Sequence, residues 1–294
     1  MGLLNRRIFL YPLCVLAVLL VPSAGAQTVP VFALDQSPEL DGNDSDWEEL
    51  PFVHIPLRKT KPNGITRTPS VAIKAATHGD RLYVFVKWDD DAADTLHKPW
   101  IWDKQLAKYV RGPQREDRLA IHFSQDKNYS TDWRSGAEFT ADTWHWKASR
   151  SNPLNLAHDK SLKISRNKML RAYKMKLPSG DSLYIKRPSD SGSKIYKTKR
   201  YRRFQQEMMP KYLLNESPGG SVADVAAKGV WSKGKWRLEL SRKLNTENED
   251  DVALPSQPGQ LLGGIAVFNR SENDDHAISE TLTFDFKYTR RKPN

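Results

Sequence analysis

The sequence contains a single cysteine, Cys14, which lies inside the apolar N-terminal run. A disulfide framework, a cysteine-ligated zinc or iron–sulfur site and a covalently attached c-type haem each need at least two cysteines, so all three are excluded. The chain also lacks a glycine-rich phosphate loop and a Gly-x-Ser-x-Gly nucleophile elbow. These absences argue against nucleotide chemistry and against serine hydrolysis.

The apolar and aromatic content is sufficient for one large domain or two small ones. Of 294 residues, 38% are hydrophobic and 10% aromatic, including nine tryptophans. Such a composition supports a buried core and is too polar for a protein with several membrane spans. Lys and Arg number 46 against 35 Asp and Glu, which gives a formal net charge of +11.

The first 26 residues have the pattern of a cleavable export signal. Arg6 and Arg7 form a basic start, residues 8–21 are apolar, and Ala24-Gly25-Ala26 offers a cleavage site. Residues 5–10 also resemble a twin-arginine signal, so both that route and the Sec route stay open. An uncleaved anchor is the alternative. We therefore expect a periplasmic or otherwise exported mature chain, which carries 44 − 35 = +9 and no cysteine.

From residue 27 onward, short runs alternate apolar with polar residues, and Gly, Asp, Asn and Pro separate them. The predicted strands are Ser70–Thr77, Arg81–Trp88, Asp117–Ser124, Glu138–Ser149, Gly229–Trp231, Trp236–Arg242, Leu261–Asn269 and Thr281–Thr289. Residues 78–80 and 232–235 are predicted to be hairpin turns. We therefore predict an all-β fold, an antiparallel β-sandwich, as one domain over residues 27–294.

Residues 160–212 differ from the rest of the chain in charge. They contain sixteen Lys and Arg against three acidic residues, a net charge of +13, which leaves 9 − 13 = −4 for the rest of the mature chain. Strand signals are weak there, so we predict a long, basic, mostly irregular insertion. It is either a solvated loop or a docking surface for an acidic protein or for anionic lipid head groups. Nucleic acid is not an expected partner of an exported chain.

Histidine and methionine supply the candidate metal ligands. His122 lies in the middle of a predicted strand, His145 lies between two tryptophans, and His54 is a similar case with less around it. Each one alone is more often a hydrogen-bonded core histidine. Together with Met208 and Met209 they supply the nitrogen and thioether ligands that a low-spin haem iron needs. Tryptophan faces stack on sugars equally well, so the composition alone does not decide between haem and a sugar.

Several short segments occur in an order that resembles a known family. The segments are Leu40–Trp47, Asp80–Val84, Lys87–Asp90, Glu116–Phe123, Asp142–Arg150, Gly234–Glu239 and Arg242–Leu244. Their order is similar to that in the haem-binding domain of the ethylbenzene dehydrogenase gamma subunit and its relatives in the dimethyl sulfoxide reductase class. The likeness spans most of residues 30–290.

The resemblance implies a sandwich like that of carbohydrate-binding module family 9, holding one non-covalent b-type haem per chain. The best-understood relatives use Met and Lys as axial ligands. The Met aligns with residues 119–123, where this sequence has His122, so we expect His122 to be one ligand. The Lys aligns near Ser241 or Arg242, so that ligand is replaced. Candidates for the second ligand are first His145 and then Met208 or Met209.

The remaining expectations concern the surroundings and role of the haem. Trp144 and Trp146 would wall the slot, and Lys147 or Arg150 would pair with a propionate. The protein would pass single electrons without substrate chemistry of its own, beside a molybdoenzyme of the dimethyl sulfoxide reductase class or a membrane cytochrome. The alternatives are a metal-free carbohydrate-binding module on the same scaffold, and a domain that has lost its ligand and serves as an interaction protein.

Overall fold

The computed structural model describes residues 27–289; the expected export signal, residues 1–26, lies outside them. The strands are β1 Gln27–Ala33, β2 Val53–Lys59, β3 Ser70–His78, β4 Arg81–Asp89, β5 Trp100–Asp103, β6 Lys108–Arg111, β7 Arg118–Ser124, β8 Phe139–Lys147, β9 His158–Ser165, β10 Tyr173–Lys176, β11 Ser182–Lys186, β12 Tyr196–Thr198, β13 Met208–Met209, β14 Tyr212–Leu214, β15 Ala226–Ser232, β16 Lys235–Lys243, β17 Gly259–Phe268, β18 Ala277–Ser279 and β19 Leu282–Phe286. Four single-turn 3₁₀ helices are Ser45–Trp47, Trp133–Ser135, Asn152–Leu154 and Ser221–Ala223. Within residues 27–289, no helix is long and apolar enough to cross a membrane.

Fourteen strands form one hydrogen-bonded sheet that folds into two layers. One layer runs β15–β16–β4–β3–β2, and the other runs β10–β11–β9–β8–β7–β17. Two cross-links join them at one side: β18 pairs with β17 and β2, and β1 pairs with β19 and β3. The β1 pairings are parallel, whereas the other pairings of this sheet are antiparallel. The predicted all-β, antiparallel sandwich is confirmed, with β1 as the parallel exception.

Successive side chains of a strand point to opposite faces, so every second residue enters the core between the layers. On β4, Leu82, Val84, Val86 and Trp88 all belong to the main buried cluster. On the reverse face of the same strand, Phe85 packs in a second cluster against the N-terminal loop. Both faces of β4 are therefore covered, as the apolar character of its successive residues predicts.

All eight predicted strands are present, and both predicted hairpins are tight. His78 pairs with Arg81, so two residues close the first turn. In the second, Ser232 pairs with Lys235, and the loop residues Lys233 and Gly234 have φ values of 50° and 74°. Two successive positive φ angles define the turn type whose twist matches that of the flanking strands.

The motif Leu40–Trp47 has a structural role. The buried Glu239 carboxylate on β16 accepts hydrogen bonds from the backbone N–H groups of Asp41 and Gly42, at 2.9 and 2.7 Å, and from Trp47 Nε1, at 2.8 Å. Gly42 has φ +81°, and a Cβ there would lie 2.5 Å from Val230 Cγ2. The Leu-Asp-Gly…Trp pattern therefore fastens the first loop onto the sandwich.

The basic insertion is more ordered than its sequence predicts. Residues 160–165 belong to β9 of the main sheet, so the irregular part starts after Ser165. The β10–β11 hairpin then extends that sheet at its edge. Further on, β12 and β14 form a separate pair, and β13 joins β5 and β6 in a three-stranded sheet.

Candidate functional site

Two predicted ligands lie on the face of β7 and β8 that points away from the core. His122 pairs with Thr143 on β8, and Ala120 pairs with His145. Since paired residues of antiparallel strands share a face, both imidazoles emerge on the same side. We call this surface the histidine face. Its residues are His122, His145 and His276, with Ala120, Gly264, Ala266, Phe268 and Ile278 between them.

A tyrosine hydroxyl contacts one ring nitrogen of His122. Its Nδ1 lies 3.1 Å from the Tyr129 hydroxyl. Burial lowers the pKa of His122 to about 4, helped by the nearby charges of Arg187 and His276. Burial also raises the pKa of Tyr129, which therefore stays a neutral phenol. When Nδ1–H donates to the phenol oxygen, Nε2 keeps a free lone pair, which is the arrangement that a ligating histidine needs.

His145 offers a nitrogen that meets no protein donor. Its Nε2 is buried without a hydrogen-bond partner in the described part of the chain. Its ring stacks on Phe268 with centroids 5.9 Å apart. Burial, reinforced by Lys147 and Arg118, holds the pKa of His145 well below its ordinary value. A buried polar atom without a partner is costly, so this nitrogen is consistent with a bound group on the histidine face.

The third imidazole, His276, comes from the loop before β18. Its ring centroid lies 4.8 Å from that of Phe268, and its Nδ1 lies 3.3 Å from Thr60 Oγ1. Burial lowers its pKa to about 4. Sequence reasoning missed His276 because a loop has no periodicity that points a side chain toward a strand face. The signal that remains is its position directly before β18, which borders β17.

Small residues lie between the imidazoles on the histidine face. Ala120 and Ala266 form a buried cluster with Phe268. Gly264 lies beside His122, and a Cβ there would come within 2.8 Å of the Tyr129 hydroxyl. The histidine face therefore offers three neutral imidazoles beside a small apolar cluster, and imidazole nitrogen is a ligand that haem iron accepts.

Cations border the histidine face. The Arg118 guanidinium lies 4.2 Å from the Phe268 ring centroid and donates to the Ser271 backbone oxygen at 2.7 Å. Arg187 comes from the basic insertion, and its guanidinium lies 5.8 Å from the Trp133 ring centroid. Its charge lowers the pKa of His122. The insertion therefore places a cation beside this face, where the carboxylates of an anionic ligand would be stabilised.

The two tryptophans predicted to wall the haem slot lie elsewhere. Trp144 and Trp146 are fully buried in the core between the layers, on the opposite face of β8 from His145. Trp146 Nε1 donates to Asn152 Oδ1 at 2.9 Å. The tryptophans at alternate positions of β8 therefore pack in the sandwich core, and these indoles are not part of the histidine face.

The predicted propionate partners are already engaged with protein groups. Lys147 Nζ lies 2.6 Å from His158 Nδ1, and burial holds the pKa of Lys147 well below its ordinary value. Arg150 Nε donates to Glu116 Oε1 at 2.5 Å. The guanidinium of Arg150 also lies 3.2 Å from the Tyr196 hydroxyl. Arg118 and Arg187 border the histidine face, although Arg118 is also engaged, by the Ser271 backbone oxygen and Asn273 Oδ1.

The remaining predicted ligands lie in other parts of the fold. Met208 and Met209 form β13, where they pair with Ile101 and Trp100. Met208 is 42% exposed. His54 lies exposed on β2. The structure thus brings His122 and His145 together on one face, and does not add either methionine to it.

The protein is thus a two-layer β-sandwich in which one layer carries the histidine face, bordered by cations. The family described as ethylbenzene dehydrogenase matches residues 44–279. The chain belongs to this family, as its ordered motifs predict.

Solved structures similar to this chain include carbohydrate-binding proteins. A carbohydrate binding module family 9 from Caldicellulosiruptor kristjanssonii in complex with glucose is 11% identical, with a TM-score of 0.40, covering 90% of this chain and 98% of that one. A putative carbohydrate-binding protein from Bacteroides uniformis is 8% identical, with a TM-score of 0.46, covering 90% of this chain and all of that one. A comparison with curated protein sequences gives no match.

Proposed function

We propose that this protein is an exported electron-transfer protein or subunit that binds one b-type haem non-covalently on the histidine face. The observation that carries the proposal is the set of neutral imidazoles beside a small apolar cluster. Among them, the buried Nε2 of His145 has no hydrogen-bond partner in the described part of the chain. Membership of the ethylbenzene dehydrogenase family supports it. Bound haem would supply the one-electron couple, and the protein itself would carry out no substrate chemistry.

We propose that His122 and His276 would hold the haem iron. His122 and His145 are diagonal neighbours on adjacent strands, so their Cβ atoms lie less than about 8 Å apart. This spacing is shorter than two imidazoles that hold the same haem iron would need, so we choose His276 over His145 as the second ligand. His276 approaches from the loop before β18 instead, and its ring packs against Phe268 of the histidine face. His145 would then donate to or accept from the bound group rather than ligate it.

We propose a redox protein as the partner, such as a molybdoenzyme or a membrane cytochrome. The basic insertion, with a net charge of +13, would accelerate the encounter with an acidic partner surface. The expected cleavage site directly precedes Gln27, the first residue of β1. Cleavage there would leave every described strand in the exported chain.

The test is absorption spectroscopy of residues 27–294 reconstituted with haemin, oxidised and then reduced with dithionite. We expect a six-coordinate b-type spectrum in the unchanged chain. His122→Ala and His276→Ala should each convert it to a five-coordinate or colourless form. His145→Ala should keep six-coordination. His54→Ala, an exposed histidine outside the histidine face, is the matched control and should leave the spectrum unchanged.

A chain that stays colourless with added haemin contradicts the proposal. Binding of a panel of glycans by that same colourless chain would then favour the carbohydrate-binding alternative. A six-coordinate spectrum in His276→Ala together with its loss in His145→Ala or Met208→Ala would retain the haem and overturn our choice of second ligand.

A further inference from the structure

A second surface lies apart from the histidine face. The β5–β6 hairpin and β13 form a three-stranded sheet of their own, outside the 14-stranded sheet. We call residues 100–111 and 199–211 together the aromatic hairpin unit. Within it, Trp102 pairs with Tyr109, and Trp100 pairs with Met209.

Aromatic contacts fasten the two segments to each other. The Trp102 ring centroid lies 5.1 Å from that of Tyr109 and 5.3 Å from that of Phe204. Tyr109 also packs against Tyr201, and its hydroxyl donates to the Gln206 backbone oxygen at 2.7 Å. The segment after residue 199 is therefore held in place on the hairpin, although it has little regular structure.

The unit also exposes large apolar side chains. Leu106, in the turn between β5 and β6, is 55% exposed, and Phe204 is 52% exposed. Met208 is 42% exposed. Water disfavours such side chains, so their exposure within one small unit marks the unit as a candidate contact surface.

Cations surround these apolar side chains. The unit contains eight basic residues, Lys104, Lys108, Arg111, Lys199, Arg200, Arg202, Arg203 and Lys211, against Asp103 and Glu207, a net charge of 8 − 2 = +6. Lys211 Nζ lies 5.2 Å from the Trp100 ring centroid, and Lys199 Nζ lies 5.1 Å from that of Tyr201. Arg202 and Arg203 are exposed.

We propose that the aromatic hairpin unit binds the surface of a bilayer that contains anionic phospholipids. Tryptophan and tyrosine favour the interfacial zone, lysine and arginine attract phosphate head groups, and Leu106 and Phe204 enter the acyl boundary. An acidic protein surface would satisfy the cations equally well. We choose the bilayer because the unit combines tryptophan and tyrosine with lysine, arginine and exposed apolar side chains, which together are typical of a segment at the membrane interface.

The test is co-sedimentation of residues 27–294 with vesicles of phosphatidylcholine, with or without phosphatidylglycerol. We expect binding to the mixed vesicles alone, weakening as salt rises. Removing two surface cations with Arg202→Gln/Arg203→Gln should reduce the partition coefficient about thirtyfold. Leu106→Ser/Phe204→Ser should reduce it at least about tenfold. Leu170→Ser and Lys233→Gln are matched controls, because both residues are exposed outside the unit and should leave binding unchanged.

Three outcomes overturn the proposal. The first is no binding to phosphatidylglycerol vesicles, and the second is equal binding to phosphatidylcholine alone. The third is a loss with Arg202→Gln/Arg203→Gln but none with Leu106→Ser/Phe204→Ser, which would indicate a purely electrostatic surface and favour an acidic protein. All substituted side chains are exposed, and far-ultraviolet circular dichroism of each variant checks that the fold is retained. None of these substitutions touches the histidine face, so haem binding and vesicle binding can fail separately.

Discussion

At the scale of single residues, the protonation state of the imidazoles decides whether the histidine face can bind a metal. Burial lowers the pKa values of His122 and His276 to about 4 from an ordinary value of 6.5. Both side chains are therefore neutral at physiological pH and present lone pairs. Protonation would remove the lone pair, so an imidazole of this site can bind a metal only while it is uncharged.

We predict that the His122 and His276 imidazoles of the haem-free protein titrate near pH 4. Because the unfolded chain binds protons at these sites from about pH 6.5 downward and the folded chain does not, their contribution to the free energy of unfolding falls as the pH drops through that window. Two-dimensional NMR of ring nitrogens measures each midpoint directly. A midpoint near 6.5 for either residue would contradict its burial.

Part of the candidate site follows from the sequence. Alternation along β7 and β8 is enough to predict that His122 and His145 point away from the strand faces that hold Leu119 and Trp144. The same alternation shows why Trp144 and Trp146 belong to the core. His276 could not be predicted, because its approach depends on where the loop between β17 and β18 runs.

At the scale of strands, a buried ion network holds β16 against β8 and β9. The fully buried Arg242 guanidinium forms ion pairs with Asp142, with Asp159 at 3.4 Å and with Asp251 at 3.2 Å. Burial and the neighbouring Asp142 charge raise the pKa of Asp159. Three carboxylates surround one guanidinium, so their burial depends on that positive charge. Arg242 therefore has a structural role in this chain.

We predict that Arg242→Met lowers the free energy of unfolding by about 3–5 kcal/mol, because it leaves buried carboxylates without a cation. Urea denaturation followed by tryptophan fluorescence measures the change. Lys243→Met is the matched control, since its side chain is exposed one residue further on and should change stability by less than about 0.5 kcal/mol. A loss below about 1 kcal/mol in Arg242→Met would show that the acids take up protons at little cost.

Each of the eight strands that the sequence predicts has a face in the core, although β1 and β2, which also contribute core residues, are not among them. All eight have clear alternation because a buried face selects apolar residues at every second position. The strands that it misses in the insertion, such as Tyr173–Lys176 and Tyr196–Thr198, are short, rich in lysine and largely exposed. Their pairing depends on neighbours brought in by the tertiary fold, which local periodicity does not record.

At the scale of the whole molecule, two short strands decide that the layers form one sheet. β1 pairs with β19 through Gln27–Val31 and with β3 through Val31–Ala33, while β18 joins β17 to β2. Val29 and Val31 lie fully inside the core. The layers are therefore linked by backbone hydrogen bonds as well as by packing, and should unfold together. The aromatic hairpin unit has no such link through a sheet, because β5, β6 and β13 pair with one another alone.

We predict that hydrogen exchange separates these two parts of the molecule. Amides of β4 and β16 lie in strands whose interiors are buried, so they should exchange through global unfolding. Amides of β5 and β6 lie in partly exposed strands and should exchange faster, through local opening. Mass spectrometry of peptic fragments measures both sets in one experiment. Equal protection of the two sets would contradict the separation. Slower exchange of β5 and β6 when phosphatidylglycerol vesicles are added, with β4 and β16 unchanged, would connect this local opening to the proposed membrane contact.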